Sequence, residues 1–600
     1  PTGTTMKNIS ILLALLLNSA LAIGQTIRVE VDAARPVRPI NPWLYGINTA
    51  NWDESLFPGR SGEILLTSDR DAIAKIKASR TTLLKYPGGN QADRYVWNSP
   101  DNPATEMDTD EYIAFCRETG AEPFITINFN ESPELAAAWV RYCNLERGYG
   151  VKLWEVGDEQ WGWWAKGHAP PEEYAKKYIS FVKAMKSVDP TIKVATNVPL
   201  GSHPENWTER VLRAAGEYVD MLTYTYFPQS GGKENDDSLF ATTSAFRALH
   251  RQLLDEVERV VGPEKAKQLL TINVGYNSVN TGPGPQTIQL VNALWVADML
   301  GTMAELGTDI GCLWALHNQY PPRGGDFGYL SSDGRNTPRF TYFVFPMFVN
   351  LFGSEVLRVT GADGPVSVYA SRTGKTLTLA LINKQRRATI PVEIALSHFN
   401  PHPKAEAWIL DEKRQNERLP DLSVPAAQFD VKVPPYALMM IRLLERDSVL
   451  PTPNIARRAI ATASSSSPLN ALWGPGTFTP SSAIDGNTDT RWRSGVKMSK
   501  DEVDPDWLQL TWKQPQEIGF IRVQWGENHG IEYQLQTSQD GGNWKAIREV
   551  REGTGDIEEF EITPPVKARY LRFKGKKGTT GARGGSPYAI RELEVFPTRP

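Results

Sequence analysis

Three cysteines in 600 residues are too few, and an odd number, for a disulfide framework or a thiolate metal site. Cys116, Cys143 and Cys312 therefore read as buried free thiols. Basic charge is not in excess either. A net charge of -4 and an isoelectric point near 6.1 leave no positive footprint for a phosphate backbone, which argues against nucleic acid as a partner. Beyond an N-terminal leader, no run is long and apolar enough for a membrane helix. No Gly-rich phosphate loop follows the first strand, no internal repeat is visible, and the one serine run, Ser464–Ser467, is too short to be low-complexity.

What the chain has is tryptophan, 18 of them, in a Gly- and Pro-rich background. That abundance fits carbohydrate binding, although indoles are also ordinary core material. Length suggests roughly three domains, fewer if one is a barrel. Met6-Lys7-Asn8, the apolar run Ile9–Leu17 and the small-residue end Asn18–Ala22 have the layout of a secretory signal. Residues 1–22, including those upstream of Met6, are read as this leader, and the protein is expected to be secreted or periplasmic.

A rhythm of short apolar strands and amphipathic helices occupies residues 23–355. Strands are predicted near Leu44–Asn48, Thr82–Tyr86, Pro123–Asn128, Lys152–Val156, Ile192–Thr196, Met221–Tyr226, Leu270–Val274 and Ile310–Ala315. Helical patterns lie between them, and this number of pairs is that of a (β/α)₈ TIM barrel. Residues 356–444 lose the helical period and read as an antiparallel β-sandwich, with Ile27–Val31 joining from the N-terminus. Residues 445–453 read as a linker, and 454–600 as a second, compact β-sandwich.

The barrel reading makes a test: polar and aromatic residues should collect just after the strand ends. They do so at Pro87-Gly88-Gly89-Asn90, Asn128-Phe129-Asn130-Glu131, Asp158-Glu159, Tyr224–Pro228, Gly275–Ser278, Trp314 and His317. The stretch Trp154-Glu155-Val156-Gly157-Asp158-Glu159-Gln160-Trp161-Gly162 stands out. It is a short apolar strand that breaks at a glycine and delivers two carboxylates beside an indole on which a sugar ring could stack.

These motifs resemble the clan of retaining (β/α)₈ glycoside hydrolases that keep the acid/base after strand four and the nucleophile after strand seven. Lys85–Asn90, with Tyr95 and Trp97 behind it, is similar to the α-L-arabinofuranosidases and to a related group of endo-β-glucanases. The resemblance covers about Tyr45 to Leu444. It implies Glu159 as general acid/base, with Asn90, Tyr226, Tyr276, Asn277 and Trp314 lining the pocket and Trp161 as a stacking platform. It implies a polysaccharide or oligosaccharide partner and no cofactor for catalysis.

Three positions depart from that pattern. Gly275 stands where the nucleophilic Glu belongs, Asp158 where an Asn binds the 2-hydroxyl, and Thr225 where a His is usual. A retaining mechanism needs two carboxyl groups about 5–5.5 Å apart. The readings left open are a variant catalyst using Asp158, Glu131 or a water, a sugar-binding pseudoenzyme, and a Glu-to-Gly replacement that disables turnover. The last segment is similar to discoidin-type (factor V/VIII type C) carbohydrate-binding modules, on Asp485-Gly486-Asn487, Thr490-Arg491-Trp492 and Ile590–Val595. That resemblance implies a structural Ca²⁺ at Asp485, Thr490 and Glu592.

Overall fold

The computed structural model describes residues 26–56, 69–103, 106–320, 323–362, 364–446, 454–467, 478–488, 490–495, 506–579 and 587–599. The leader (1–22) and most of the linker (447–453) lie outside the described residues. Contacts divide the chain into two compact units, Pro1–Ser448 and Val449–Pro600.

In the first unit eight parallel strands close into a barrel: β1 (Gly46–Asn48), β2 (Leu83–Tyr86), β3 (Glu122–Ile127), β4 (Leu153–Val156), β5 (Lys193–Asn197), β6 (Met221–Tyr226), β7 (Leu270–Tyr276) and β8 (Ile310–Leu313). Side chains alternate across each strand. Leu83, Phe124, Leu153, Ala195, Met221, Ile272 and Ile310 fill the interior, while Leu84, Ile125, Trp154, Val194 and Leu222 face the surrounding helices. Those helices are α1 (Arg70–Ser79), α2 (Thr109–Thr119), α3 (Pro133–Arg141), α4 (Pro171–Val188), α5 (Trp207–Ala215), α6 (Thr242–Val261), α7 (Leu290–Leu306) and α8 (Phe340–Leu351). Asp69, Asp108 and Ser132 cap the first three, each accepting from backbone N–H groups that a helix start leaves unpaired.

Residues 355–444 form β9 (Glu355–Thr360), β10 (Val366–Thr373), β11 (Thr376–Asn383), β12 (Ile390–Ser397), β13 (Lys404–Leu410), β14 (Glu417–Ser423), β15 (Gln428–Val433) and β16 (Ala437–Leu444). Together with the N-terminal strand Ile27–Pro39 they make one nine-stranded sheet, ordered β14-β13-β16-β11-β10-β9-N-terminal-β12-β15. The sheet curls, so Ala405 and Ala407 near one edge and Ile394 and Val431 near the other share a core. The N-terminal strand runs antiparallel to β9 but parallel to β12, a pairing that alternation alone does not reveal.

Helix α7 is apolar on nearly every side because it lies between the barrel and this sheet. Its one buried acid, Asp298, accepts from Tyr369 Oη (2.7 Å) and Thr243 Oγ1 (2.8 Å) and pairs with Lys384 Nζ at 2.9 Å. Burial opposes the charge, yet Lys384 and the hydroxyl donors outweigh it and hold the carboxyl below its usual range.

The second unit is a sheet of β17 (Ile460–Ala463), β18 (Trp492–Arg493), β19 (Trp507–Trp525), β20 (Gly530–Ser538), β21 (Lys545–Val550), β22 (Ile557–Gly578) and β23 (Ala589–Phe596). The order is β18-β23-β19-β22-β20-β21, with β17 also on β19. The long strands β19 and β22 bend at register breaks and enclose Trp492, Trp525, Tyr533 and Phe573. Cys116, Cys143 and Cys312 are free and buried.

Removing Asp298 strands the Lys384 charge between barrel and sheet. Asp298→Ala is expected to lower unfolding stability by about 3–5 kcal/mol in urea denaturation. Because the folded carboxyl titrates below its unfolded value, the unaltered protein keeps this contribution above about pH 4 and loses it as pH falls further, so the difference from the variant should narrow in acid.

Candidate active site

The barrel interior contains an ammonium group. Lys85, on β2, is 1 % exposed at its side chain and reaches Glu155 Oε2 (3.2 Å) on β4 and Asp158 Oδ1 (3.3 Å) just beyond it. Burial works against the lysine charge, but the two carboxylates more than offset it and raise its pKa. Glu155 also accepts from Thr126 Oγ1 at 2.7 Å, and Asp158 Oδ2 from Asn90 Nδ2 at 2.6 Å. The floor of the site is thus a paired, hydrogen-bonded charge cluster, the form in which buried charge is tolerated.

The chain leaves β4 through Gly157, where φ is +70° and a Cβ would lie 2.8–2.9 Å from Gln160 Cγ and Phe129 Cβ. Only glycine fits there. Glu159 follows with φ of 51°, a left-handed value that costs a non-glycine residue about 1–2 kcal/mol and marks a place where surroundings dictate the backbone. The surroundings are identifiable. Asp93 Oδ2 accepts the Asp158 N–H at 3.0 Å, Asn197 Oδ1 the Gln160 N–H at 2.8 Å, and Gly162 N–H closes a turn on Glu159 O at 2.7 Å. Asp93 itself is buried, which pushes it up to about 8 against the donors it accepts from.

Glu159 is partly exposed and fully hydrogen-bonded. Oε1 accepts from Thr225 Oγ1 (2.5 Å), and Oε2 from Trp164 Nε1 (2.8 Å) and Asn90 Nδ2 (3.3 Å). Desolvation, followed by the neighbouring Asp158 charge, raises its pKa, while the three donors pull the other way. The net direction is upward, toward the protonated carboxyl that a general acid needs.

Opposite stands Gly275. Strands β6 and β7 pair Tyr224 with Asn273 but Thr225 with Gly275, so Val274 is an extra residue, a β-bulge. Asn48 on β1 pins it by donating to Val274 O at 3.0 Å. The bulge turns Gly275 toward the mouth, where a Cβ would meet Thr225 Cγ2 at 3.4 Å and the Phe227 ring at 3.5–3.7 Å, ordinary contacts. The φ of Gly275 is not left-handed, so the backbone does not demand glycine. Its missing side chain would point at the residue that hydrogen-bonds Glu159.

The structure therefore brings together Asn90, Asp158, Glu159 and the Gly275 position. Trp314 joins them: its ring lies 3.1–3.2 Å from a Cβ built on Gly89, itself 3.8 Å from Asp158 Oδ2. Three expected lining residues are elsewhere. By strand alternation Tyr226 faces the helices, its ring 5.0 Å from Phe246 and its hydroxyl donating to Thr242 O at 2.6 Å. After the bulge Tyr276 also faces outward, fully buried, 6.3 Å from Trp295. Asn277 is buried and donates to the Trp314 carbonyl at 2.5 Å while accepting from Asn292 at 3.0 Å, so it fixes the Trp314 backbone and does not line the pocket. Trp161 is partly buried, edge-on to Trp164 (5.1 Å) and His203 (6.2 Å). Among the described residues the exposed indoles are Trp163 and Trp164.

Sequence reasoning passed over Lys85, Asp93 and Trp164 as functional groups. A lysine inside an apolar strand was the available signal for the first; the other two act through fold-dependent contacts. His317, read at the end of β8, is buried between Asp53 Oδ1 (2.8 Å) and Asn336 Oδ1 (3.0 Å). Burial lowers its pKa, but Asp53 outweighs this and raises it overall.

In the second unit Asp485 accepts from Thr490 Oγ1 (2.8 Å) and Asn487 N–H (2.8 Å). Glu592, buried, accepts from the N–H groups of Gly486 (2.8 Å) and Asn487 (3.1 Å). Burial and then the facing Asp485 carboxyl push Glu592 up to about 8. Two opposed carboxyls with a hydroxyl beside them form an oxygen-donor set suited to a hard cation.

Residues 460–592 match the F5/8 type C domain family. A probable α-L-arabinofuranosidase C of Aspergillus fumigatus is 30% identical over 211 residues, 29% of this chain and 42% of that protein. An intracellular exo-α-(1→5)-L-arabinofuranosidase of Streptomyces lividans is 23% identical over 449 residues, 62% of this chain and 66% of its own. The chain thus spans less than half the length of the first curated relatives it matches. Among solved structures, the α-L-arabinofuranosidase of Thermotoga maritima shares the fold over 70% of this chain and 100% of its own, with a TM-score of 0.58 and 21% identity. A Paenibacillus polymyxa xyloglucanase does so over the same shares, with a TM-score of 0.54 and 14% identity. The chain therefore carries a TIM barrel and curled β-sheet domain with the fold of the α-L-arabinofuranosidase of Thermotoga maritima, followed by a C-terminal F5/8 type C domain.

Proposed function

We propose that the barrel is a glycan-cleaving site, most like that of the α-L-arabinofuranosidases, in which Glu159 protonates the glycosidic oxygen and position 275 supplies no nucleophile. The observation that carries this is Glu159 itself: a partly exposed carboxyl with an elevated pKa, held at the barrel mouth by Thr225, Trp164 and Asn90. Asp158 is a poor substitute nucleophile, since the Lys85 ammonium and the Asn90 amide each hold one of its oxygens and draw off its charge. A second reading, a barrel that holds sugar without turnover, is favoured by Gly275.

We also propose that the C-terminal domain binds carbohydrate and holds a Ca²⁺ between Asp485 and Glu592 with Thr490 beside them, the ion relieving the opposition of the two carboxyls. Export by the 1–22 leader is part of the same reading.

On an aryl α-L-arabinofuranoside, unassisted turnover should be very slow. Azide or formate should accelerate it by filling the space at Gly275, azide giving the glycosyl azide of inverted configuration. Gly275→Glu, which the local contacts admit, should raise unassisted turnover by about 10³-fold or more. Fast turnover without additive would contradict a lost nucleophile; binding by calorimetry with no rescue would favour the second reading.

Trp164→Phe removes an N–H that favours the charged form of Glu159, so the pKa of this carboxyl should rise further. The alkaline limb of the azide-rescued rate, where the acid loses its proton, should then move to higher pH.

Chelation should lower the melting temperature of the full chain and Ca²⁺ restore it, whereas Glu592→Gln should melt at one temperature with or without the ion. Calcium-independent melting of the unaltered chain would count against the site.

A further inference from the structure

The atoms nearest the empty position at Gly275 are apolar. They are the Thr225 methyl group and the Phe227 ring, at 3.4–3.7 Å from where a Cβ would stand. The site nevertheless keeps a second fixed negative charge, since Asp158 lies next to the acid in sequence and shares Asn90 with it. An ionised carboxyl accepts about four hydrogen bonds and donates none. Lys85 and Asn90 supply two donors to Asp158, which leaves capacity for a substrate N–H on its Oδ2 side, below Trp314.

We propose that the sugar cleaved here carries a 2-acetamido group, which supplies the nucleophile that position 275 lacks. The proposal rests on Glu159 being the acid. Its proton passes to the glycosidic oxygen as the bond from that oxygen to C1 breaks. The acetamido carbonyl oxygen forms a bond to C1 from the opposite face, giving a cyclic oxazolinium cation. Asp158 accepts the acetamido N–H and stabilises the positive charge that develops on that group. The acetamido methyl occupies the apolar space between Thr225 and Phe227. Water then attacks C1 from the side the leaving group left, the bond from C1 to the acetamido oxygen breaks and restores the acetamido carbonyl, the water gives a proton back to Glu159, and the sugar is released with retained configuration. No enzyme carboxylate attacks, so Gly275 is no defect for such a substrate. Attack from the opposite face requires the leaving group and the 2-acetamido group to be trans, which for gluco- and galacto-configured sugars selects the β-anomer.

The test uses the full, unaltered chain with aryl 2-acetamido-2-deoxy-β-D-glucoside and galactoside. At least one should be turned over with kcat/KM about 10²-fold or more above that for the aryl α-L-arabinofuranoside, without azide. A 2-trifluoroacetamido substrate, whose carbonyl is a weaker nucleophile, should react about tenfold or more slowly, and the 2-hydroxy glycoside should not react. Asp158→Asn should slow the acetamido substrate by about 10²-fold; the trifluoroacetamido comparison needs no variant and holds even if that one misfolds. Acetamido turnover no faster than that of the arabinofuranoside, or equal acetamido and trifluoroacetamido rates, would overturn the proposal. If azide rescues arabinofuranoside cleavage in a Glu159-dependent way while the acetamido sugars fail, this inference falls and the proposed acid stands. If Glu159→Gln changes no rate, both fall.

Discussion

Everything at the mouth of the barrel depends on neutralising the ammonium of Lys85. A lysine among the inward residues of a closed barrel is out of water, and an unpaired charge there would cost several kcal/mol. Glu155 and Asp158 answer it from successive inward positions of the same chain segment, one on β4 and one past its glycine. Meeting that demand fixes where the β4 segment turns and so where Glu159 emerges. The left-handed backbone of Glu159 is accepted because Asp93, Asn197 and the turn to Gly162 hold both sides of it.

The same economy of contacts explains how the site can be well built around an absent group. The bulge at Val274, pinned by Asn48 from the strand on the far side of β8, presents position 275 to the mouth whatever residue occupies it. Thr225 spans the interval, with its hydroxyl on Glu159 and its methyl toward Gly275. The mouth thus sets the hydrogen-bonded carboxyl of Glu159 and the apolar surroundings of Gly275 on either side of Thr225. That arrangement is the one on which the proposed acetamido substrate rests.

Much of this was legible in the sequence, because the barrel's strands are short apolar runs at even spacing and its rim residues fall just after them. The Asp158-Glu159 pair could be placed at the end of β4 from the Trp154–Gly162 stretch, and Gly275 at the nucleophile's position from the family resemblance. Tyr226 and Tyr276 were misplaced for a reason that periodicity contains only in part. Tyr226 follows simple alternation and faces the helices, but the facing of Tyr276 depends on the extra residue at Val274, and a bulge leaves no mark in composition. Asn277 looked like a polar rim residue, and only its bonds to Trp314 and Asn292 show it holding backbone.

By itself, then, the sequence determined the order and number of the barrel elements, the two carboxylates Asp158 and Glu159 that leave β4 and the lack of a carboxylate on β7, since these rest on local periodicity and on residue identity. The tertiary structure alone decided which side chains meet. Lys85 and Asp158 are 73 positions apart, Thr225 and Glu159 are 66, and Asn48 and Val274 are 226. Such pairs are set by the closure of the barrel and the register of its strands. Closure and register are properties of the whole sheet, which no local stretch encodes.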